Sequence, residues 1–309
     1  MACILVTGAH GMLGHVACRV LSEKHRVIAV CRSPRDSYPA LDGVNERQFS
    51  LIDEVDLVDP TSLARRLPHD VSVVVNCAGL IKQRPEAQDP MAILRANALV
   101  PRRLADWCEA RSARLVHIST DCVFSGRRGN YSEVDTPDPV DLYGLSKLVG
   151  EIATPPHLTL RTSIIGPQLS GSEGLFAWFV AQRGKTVQGY ARAIFSGLTT
   201  LAFARILDQV IAGPSTLSGL YHVAAPPISK YTLLQEIERR LALGITVRRD
   251  DGMACDRSLD GRRFSAASGI AIPGWEEMLD ALCSNLNKGA TAWKAAKKSM
   301  TALPAEASS

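Results

Sequence analysis

Residues 4–8 read Ile-Leu-Val-Thr-Gly, and the stretch TGAHGMLG (Thr7–Gly14) runs directly from them into an amphipathic segment. A strand that ends in three spaced glycines and then opens a helix has few ways to fold. Gly8 permits the tight turn, Gly11 lets a ligand's diphosphate approach the backbone, and Gly14 allows close helix–strand packing. The helix N-terminus offers that anion unpaired N–H groups and the positive end of the helix dipole. His10, Met12 and Leu13 lie in the same turn and are candidate contacts for the same ligand.

The rest of the first half repeats this logic. Short apolar runs at 26–31, 47–53, 71–77, 114–119 and 158–163 alternate with amphipathic stretches near 12–24, 60–67, 90–110 and 141–153. Strands that are apolar throughout suit a parallel sheet covered on both faces, and the alternation implies right-handed crossovers. The expected fold class is α/β: a doubly wound, mostly parallel sheet of Rossmann type with a smaller C-terminal substrate lobe. We expect residues 1–163 to form the nucleotide-binding domain and 164–285 to build the lobe while partly returning to the sheet. In that second part, helices are expected at 174–182, 200–212 and 229–242, strands at 188–195 and 219–225, and a loop-rich segment thereafter. The Ala/Lys/Ser-rich residues 286–309 read as a disordered tail.

A formal net charge of +4 over 309 residues, with basic residues scattered, argues against a nucleic-acid surface. The eight cysteines form no CxxC pair and no Cys/His cluster with ligand spacing, so reduced thiols in a cytoplasmic protein are expected and metal binding is not. MACILVTG already reads as a buried strand, leaving no room for a signal peptide. No apolar run reaches the roughly 18 residues of a membrane span.

The end of the second strand distinguishes the two nicotinamide cofactors. An acid there grips the ribose hydroxyls of NAD, whereas this chain has Cys31 and then Arg32, with Arg35 close behind. A guanidinium without a carboxylate suits the additional phosphate of NADPH, the expected cofactor; a surface arginine is the alternative. Asp56 and Leu57 can cap the adenine. Cys77, Ala78 and Gly79, from the NCAG that ends the fourth strand, lie at the carboxyl edge where open α/β sheets bind ligands.

STDCVFSG (119–126) follows the fifth strand, and YGLSK (143–147) opens a helix. Tyr143 and Lys147 are four residues apart and share a helix face. An ammonium near the phenol is expected to bring its pKa down, and Thr120 can hydrogen-bond the same reacting oxygen.

TGAHGMLG, NCAG, STDCVF and YGLSKLVGE together resemble the extended short-chain dehydrogenase/reductases, and among them the dTDP-4-dehydrorhamnose reductase group. The likeness runs over about residues 3–284. It implies that NADPH reduces the C4 keto group of a nucleotide-linked 4-keto-6-deoxy sugar, a step in deoxysugar or polysaccharide precursor synthesis. Tyr143 then protonates the oxygen, Lys147 tunes Tyr143 and holds the nicotinamide ribose, and Thr120 orients the carbonyl. Asn97, in LRANALVPRRL, matches a proton-relay asparagine. Thr120, Asp121 and Cys122 are expected to line the sugar. Arg161, Arg257 and Arg262 are candidate diphosphate contacts or, equally, structural or surface arginines. The expected partner is a nucleotide sugar; a homodimer stays open.

The chain also departs from that group. Cys122 stands where a Tyr is usual, Ile164 and Ile165 replace a Trp segment, and Arg257-Ser258-Leu259-Asp260-Gly261 replaces RPxxS. A different sugar or nucleotide is therefore open. A dehydratase would want Asp-Glu after Thr120 and finds Asp121-Cys122. An epimerase–reductase would use Cys122 together with a His further on, but none lies between Arg161 and Tyr221, and His222 sits in an expected strand. A non-enzymatic NADP-binding regulatory subunit is the rival from another class.

Overall fold

A computed structural model describes residues 1–34, 43–169, 173–213 and 217–284. Arg35 and the expected tail lie outside the described residues. Seven strands form one parallel sheet: β1 (Cys3–Thr7), β2 (Arg26–Val30), β3 (Phe49–Ile52), β4 (Val73–Asn76), β5 (Arg114–Thr120), β6 (Leu158–Thr162) and β10 (Gly219–His222). Their spatial order is β10-β6-β5-β4-β1-β2-β3. The expected doubly wound α/β fold is thus the one found, with β1 central and the order reversing between β1 and β4.

Helices α1 (Gly14–Leu21), α2 (Pro60–Arg66), α3 (Pro90–Leu94), α4 (Val100–Glu109), α5 (Leu142–Val149) and α7 (Thr200–Ala212) cover the sheet. One face carries a core of Ile4, Val6, Leu158, Leu160, Phe203, Leu207 and Phe264; the other carries Leu5, Val74, Leu104, Trp107 and Leu115. Ile4 and Leu5 are both fully buried on opposite faces, which explains the unbroken apolar runs.

Two segments differ from the sequence reading. Residues 90–110 are not one α-helix: a π-helical turn, Arg95–Leu99, separates α3 from α4. Pro101 has no N–H to give the carbonyl of Asn97, so the regular ladder cannot run through this point. The Arg/Asp-rich segment expected as loop is largely a strand, β12 (Thr246–Asp256). It is the edge of a second sheet, β11-β8-β12, built with β8 (Thr186–Phe195) and β11 (Ile228–Ser229). Most of its residues face solvent, and Arg249 pairs bidentately with Asp251, so no apolar alternation marks it. Helix α6 (Leu175–Val180), α8 (Lys230–Leu241) and a last helix over 275–284 close a separate apolar core around Phe176, Phe179, Leu234 and Leu279. No helix among the described residues is long and apolar enough to cross a membrane.

Phe203 on α7 is fully buried in the core that joins α7 to the sheet. Phe203→Ala is expected to lower the unfolding free energy by about 3–5 kcal/mol, read by urea denaturation.

Candidate active site

The candidate site lies at the carboxyl ends of β1 and β4, where the strand order reverses and open α/β sheets bind ligands. Thr7 Oγ1 donates to Asn76 Oδ1 at 2.6 Å, and the same oxygen accepts the N–H of Ala78 at 3.1 Å. Asn76, fully buried, thereby ties the end of β1 to the turn after β4, and its amide lies 3.0 Å from His117 Nδ1 on β5. The turn from β1 to α1 is bare backbone packed on backbone. Gly8 takes φ +66°, and a side chain on it would sit 2.7 Å from the Ala78 backbone; one on Gly14 would sit 2.0 Å from the Gly8 carbonyl. Gly11 N–H donates to that same carbonyl at 2.9 Å, which closes the turn. His10 Nδ1 lies 3.0 Å from the thiol of Cys31 at the end of β2, and the exposed Arg32 follows directly. Met12 and Leu13 complete the turn, Leu13 buried and Met12 half-buried. Asp56 is drawn into its own turn by the N–H of Val58 at 2.9 Å, and Leu57 packs on the core behind β2.

Thr120 ends β5, and Tyr143 and Lys147 project from the first and last turns of α5. Three contacts bring them together. Asp141 caps the helix by accepting the N–H of Gly144 at 2.8 Å. Gly144 lets the helix meet the strand end: a Cβ there would lie 2.2 Å from the carbonyl oxygen of Cys122. Lys147 Nζ donates to the carbonyl of Ile118 at 2.6 Å. Thr120 accepts the N–H of Cys122 at 3.1 Å, lies 3.2 Å from Asp121 Oδ1, and stands near enough to the Tyr143 phenol to oppose its rise. On the cofactor side, Gly79 is close enough that an added Cβ would be 4.0 Å from Lys147 Nζ. The glycine turn, the NCAG turn and the Thr–Tyr–Lys group are therefore one continuous surface.

Burial controls the protonation states here. Lys147, 6% exposed, is pulled down to about 8 by desolvation, with Glu151 and Cys77 opposing. The Tyr143 phenol was expected to be lowered by Lys147. Burial instead raises it, Cys122 adds to the rise, and Thr120 opposes. That burial holds the phenol of this structure as the protonated acid. Burial also raises the Asp121 carboxyl, against Arg257, and pushes the Cys122 thiol up to about 12 with Asp121 adding.

Asn97 lies in the π-turn, fully buried. Its amide donates to Leu80 O at 2.9 Å and Ser146 Oγ at 3.0 Å, and its oxygen accepts Leu80 N–H at 2.8 Å. It fastens the loop after Gly79 to α5. The three candidate arginines separate. Arg257 reaches the site: Nε donates to Phe124 O at 2.8 Å, and a terminal nitrogen lies 3.7 Å from Cys122 Sγ. Arg161, 4% exposed, is spent on Glu151 with two contacts of 2.8 Å. Arg262 is a solvent-facing partner of Asp260. Sequence reading missed Asn76, Ser146 and Glu151, which act only through tertiary contacts, and Asp141, whose place just before the helix was a legible cap signal.

A family model described as the RmlD substrate binding domain matches residues 1–287. The chain belongs to that family. Among relatives of this RmlD-family chain, a probable low-salt glycan biosynthesis reductase of Haloferax volcanii is 36% identical over 167 residues, 52% of either chain. A dTDP-4-dehydrorhamnose reductase of Burkholderia thailandensis is 30% identical over 252 residues, 72% of either chain. The chain spans about half the length of several other curated relatives it matches. A solved structure of a hypothetical dTDP-4-dehydrorhamnose reductase from Sulfolobus tokodaii is 28% identical with a TM-score of 0.69, covering 87% of this chain and 96% of that one.

Gly144→Ala places a methyl group against the Cys122 carbonyl and is expected to cost about 1–3 kcal/mol of stability. Leu145→Ala, at a side chain on the exposed face of the same helix, is expected to stay within about 0.5 kcal/mol. Paired denaturant titrations compare them.

Proposed function

We propose that this RmlD-family chain is an NADPH-dependent reductase of a 4-keto sugar carried on a nucleoside diphosphate. The observation that carries the reading is the Thr120–Tyr143–Lys147 group set on one surface with the glycine turn and Gly79. Names of relatives, including dTDP-4-dehydrorhamnose reductases, support the same class. A second neighbour in fold, the Bacillus anthracis dTDP-4-dehydrorhamnose reductase, was solved in complex with NADP.

The residues fit that cofactor. Side chains on Gly8 or Gly14 would collide with backbone, so the turn keeps peptide N–H groups and a helix start free for a diphosphate. Arg32, exposed beyond β2 where no carboxylate stands, serves the 2′-phosphate, and His10 packs on the Cys31 that precedes it. Cys77, Ala78 and Gly79 border the nicotinamide end. NADPH, when bound, supplies a hydride to the carbonyl carbon.

The protein's own residues handle the proton and the oxygen. Thr120 and Tyr143 hydrogen-bond the keto oxygen, and Tyr143 gives it the proton as negative charge develops. A buried, protonated phenol is in the correct state for a reduction. The Lys147 ammonium steadies the phenolate left behind and holds the cofactor's ribose, with Asn97 fixing the loop beside it. Arg257 takes the substrate diphosphate.

Cys122 shapes the pocket without acting on it. Epimerisation beside the ketone needs a base and an acid on opposite faces. A thiol held near 12 stays protonated and cannot serve as the base, and His222, buried and lowered to about 4, stays neutral and has no imidazolium proton to return. Hydride transfer without epimerisation follows. We assign the work to the cytoplasm, where eight free thiols are at home. We further read residues 1–163 as the cofactor domain and 164–285 as the substrate lobe.

NADPH oxidation with a panel of 4-keto nucleotide sugars tests the reading. Tyr143→Phe is expected to lower turnover by about 10²-fold or more while NADPH still binds; near-normal turnover overturns the assignment. Arg32→Ala is expected to weaken NADPH by about 1.5–3 kcal/mol and leave NADH almost unchanged, read from the two dissociation constants.

A further inference from the structure

Tyr143, Lys147 and Glu151 follow one another at four-residue intervals, and three consecutive residues at the end of β5 receive them. Thr120 stands by the Tyr143 phenol, the Ile118 carbonyl accepts from Lys147 at 2.6 Å, and Ser119 Oγ donates to Glu151 Oε1 at 2.7 Å. The first two contacts belong to the catalytic group. The third has no part in binding or chemistry as described so far.

Glu151 is held from a second side. Arg161 on β6 donates Nε to Oε1 and a terminal nitrogen to Oε2, both at 2.8 Å, and the two side chains are 5% and 7% exposed. Ser119 and Arg161 are register partners across β5 and β6, and Arg161 and His222 across β6 and β10. The row continues through Arg161 to His222 Nε2 at 3.3 Å, and from His222 Nδ1 to the Tyr131 carbonyl at 3.0 Å. A carboxylate buried this deeply is costly unless its place is fixed by partners, and here three sheet strands fix it.

We propose that Glu151 is a positioning residue that keeps α5 in register with the catalytic end of β5 and holds the Lys147 ammonium charged for proton transfer at Tyr143. The inference rests on the reductase reading for its catalytic consequence only. The groups facing Lys147 are few. Cys77 comes from the turn after β4, Tyr143 and Glu151 from its own helix and the residues just after it, and His117 from β5. His117 is fully buried and held well below its usual range, so it stays neutral. Asn97, on the segment packed beside α5, is uncharged. Glu151 is thus the carboxylate that opposes the desolvation of Lys147.

The sign follows. Burial already brings Lys147 down to about 8, and removing the negative charge lowers it further. The ammonium is then lost at lower pH, and the high-pH limb of turnover moves the same way.

The test is the titration of Lys147 in lysine-¹³Cε-labelled protein, with Lys147→Met to assign the signal. Glu151→Gln is expected to move the midpoint down by about one pH unit, with a matching move of the kcat limb and little change in KM. Glu151→Gln combined with Arg161→Gln removes the buried pair as a whole, guards against failure to fold, and should move the midpoint in the same direction. Ser119→Ala keeps the carboxylate and should leave the midpoint in place. A midpoint unmoved in both Gln-bearing variants overturns the proposal, whatever stability they lose. A midpoint that moves while the wild type reduces no 4-keto nucleotide sugar upholds Glu151's role and defeats the reductase reading instead.

Discussion

One buried cation organises the site. The Lys147 ammonium is almost out of contact with solvent, and the interior of a parallel sheet offers it little beyond the Ile118 carbonyl at 2.6 Å. That bond requires α5 to lie against the end of β5. The close approach in turn requires a glycine at 144, an Asp141 cap at the helix start, and a π-turn that carries Asn97 beneath the helix. Once the lysine is anchored, Tyr143 falls beside Thr120. The dry surroundings that depress the ammonium also keep the phenol protonated. Acid and cation are set by one act of burial.

The second constraint is topological. In a doubly wound sheet the strand ends part where the order reverses, and here that gap lies between β1 and β4. Asn76 bridges it from below through Thr7 and Ala78, while Gly8 brings the two turns into backbone contact. Peptide groups line this end of the surface, and Thr120, Tyr143 and Lys147 the other. The glycine turn and α5 are thus far apart in sequence and adjacent in space.

Much of this was legible from residues alone. The glycine spacing, the strand runs and the Tyr143/Lys147 interval each answer to local rules, and the parallel sheet follows from strands apolar on both faces. What escaped was set by contacts between distant segments. β12 is an exposed edge strand whose charges pair with one another, so its pattern reads as loop. The split of residues 90–110 turns on the missing N–H of Pro101, a single-residue effect inside an otherwise helical pattern. Arg161 and Arg257 look alike in sequence, yet Glu151, just after α5, draws one into a buried ion pair while the other stays by Cys122. The depression of Tyr143 expected from a nearby lysine did not appear, because burial of the phenol dominates and Cys122 adds to it.

The central claim is that this surface passes a hydride to a sugar ketone and closes the reaction with a proton from Tyr143. Its most direct test uses NADPH carrying deuterium on either face of C4, a 4-keto-6-deoxy nucleotide sugar, and NMR of the product. The account predicts deuterium at C4 of the sugar from one face of the cofactor only, and none at C3 or C5 when the reaction is run instead with ordinary NADPH in deuterium oxide. Product with no deuterium from either labelled cofactor, or enzyme-dependent solvent deuterium at C3 or C5, would contradict it.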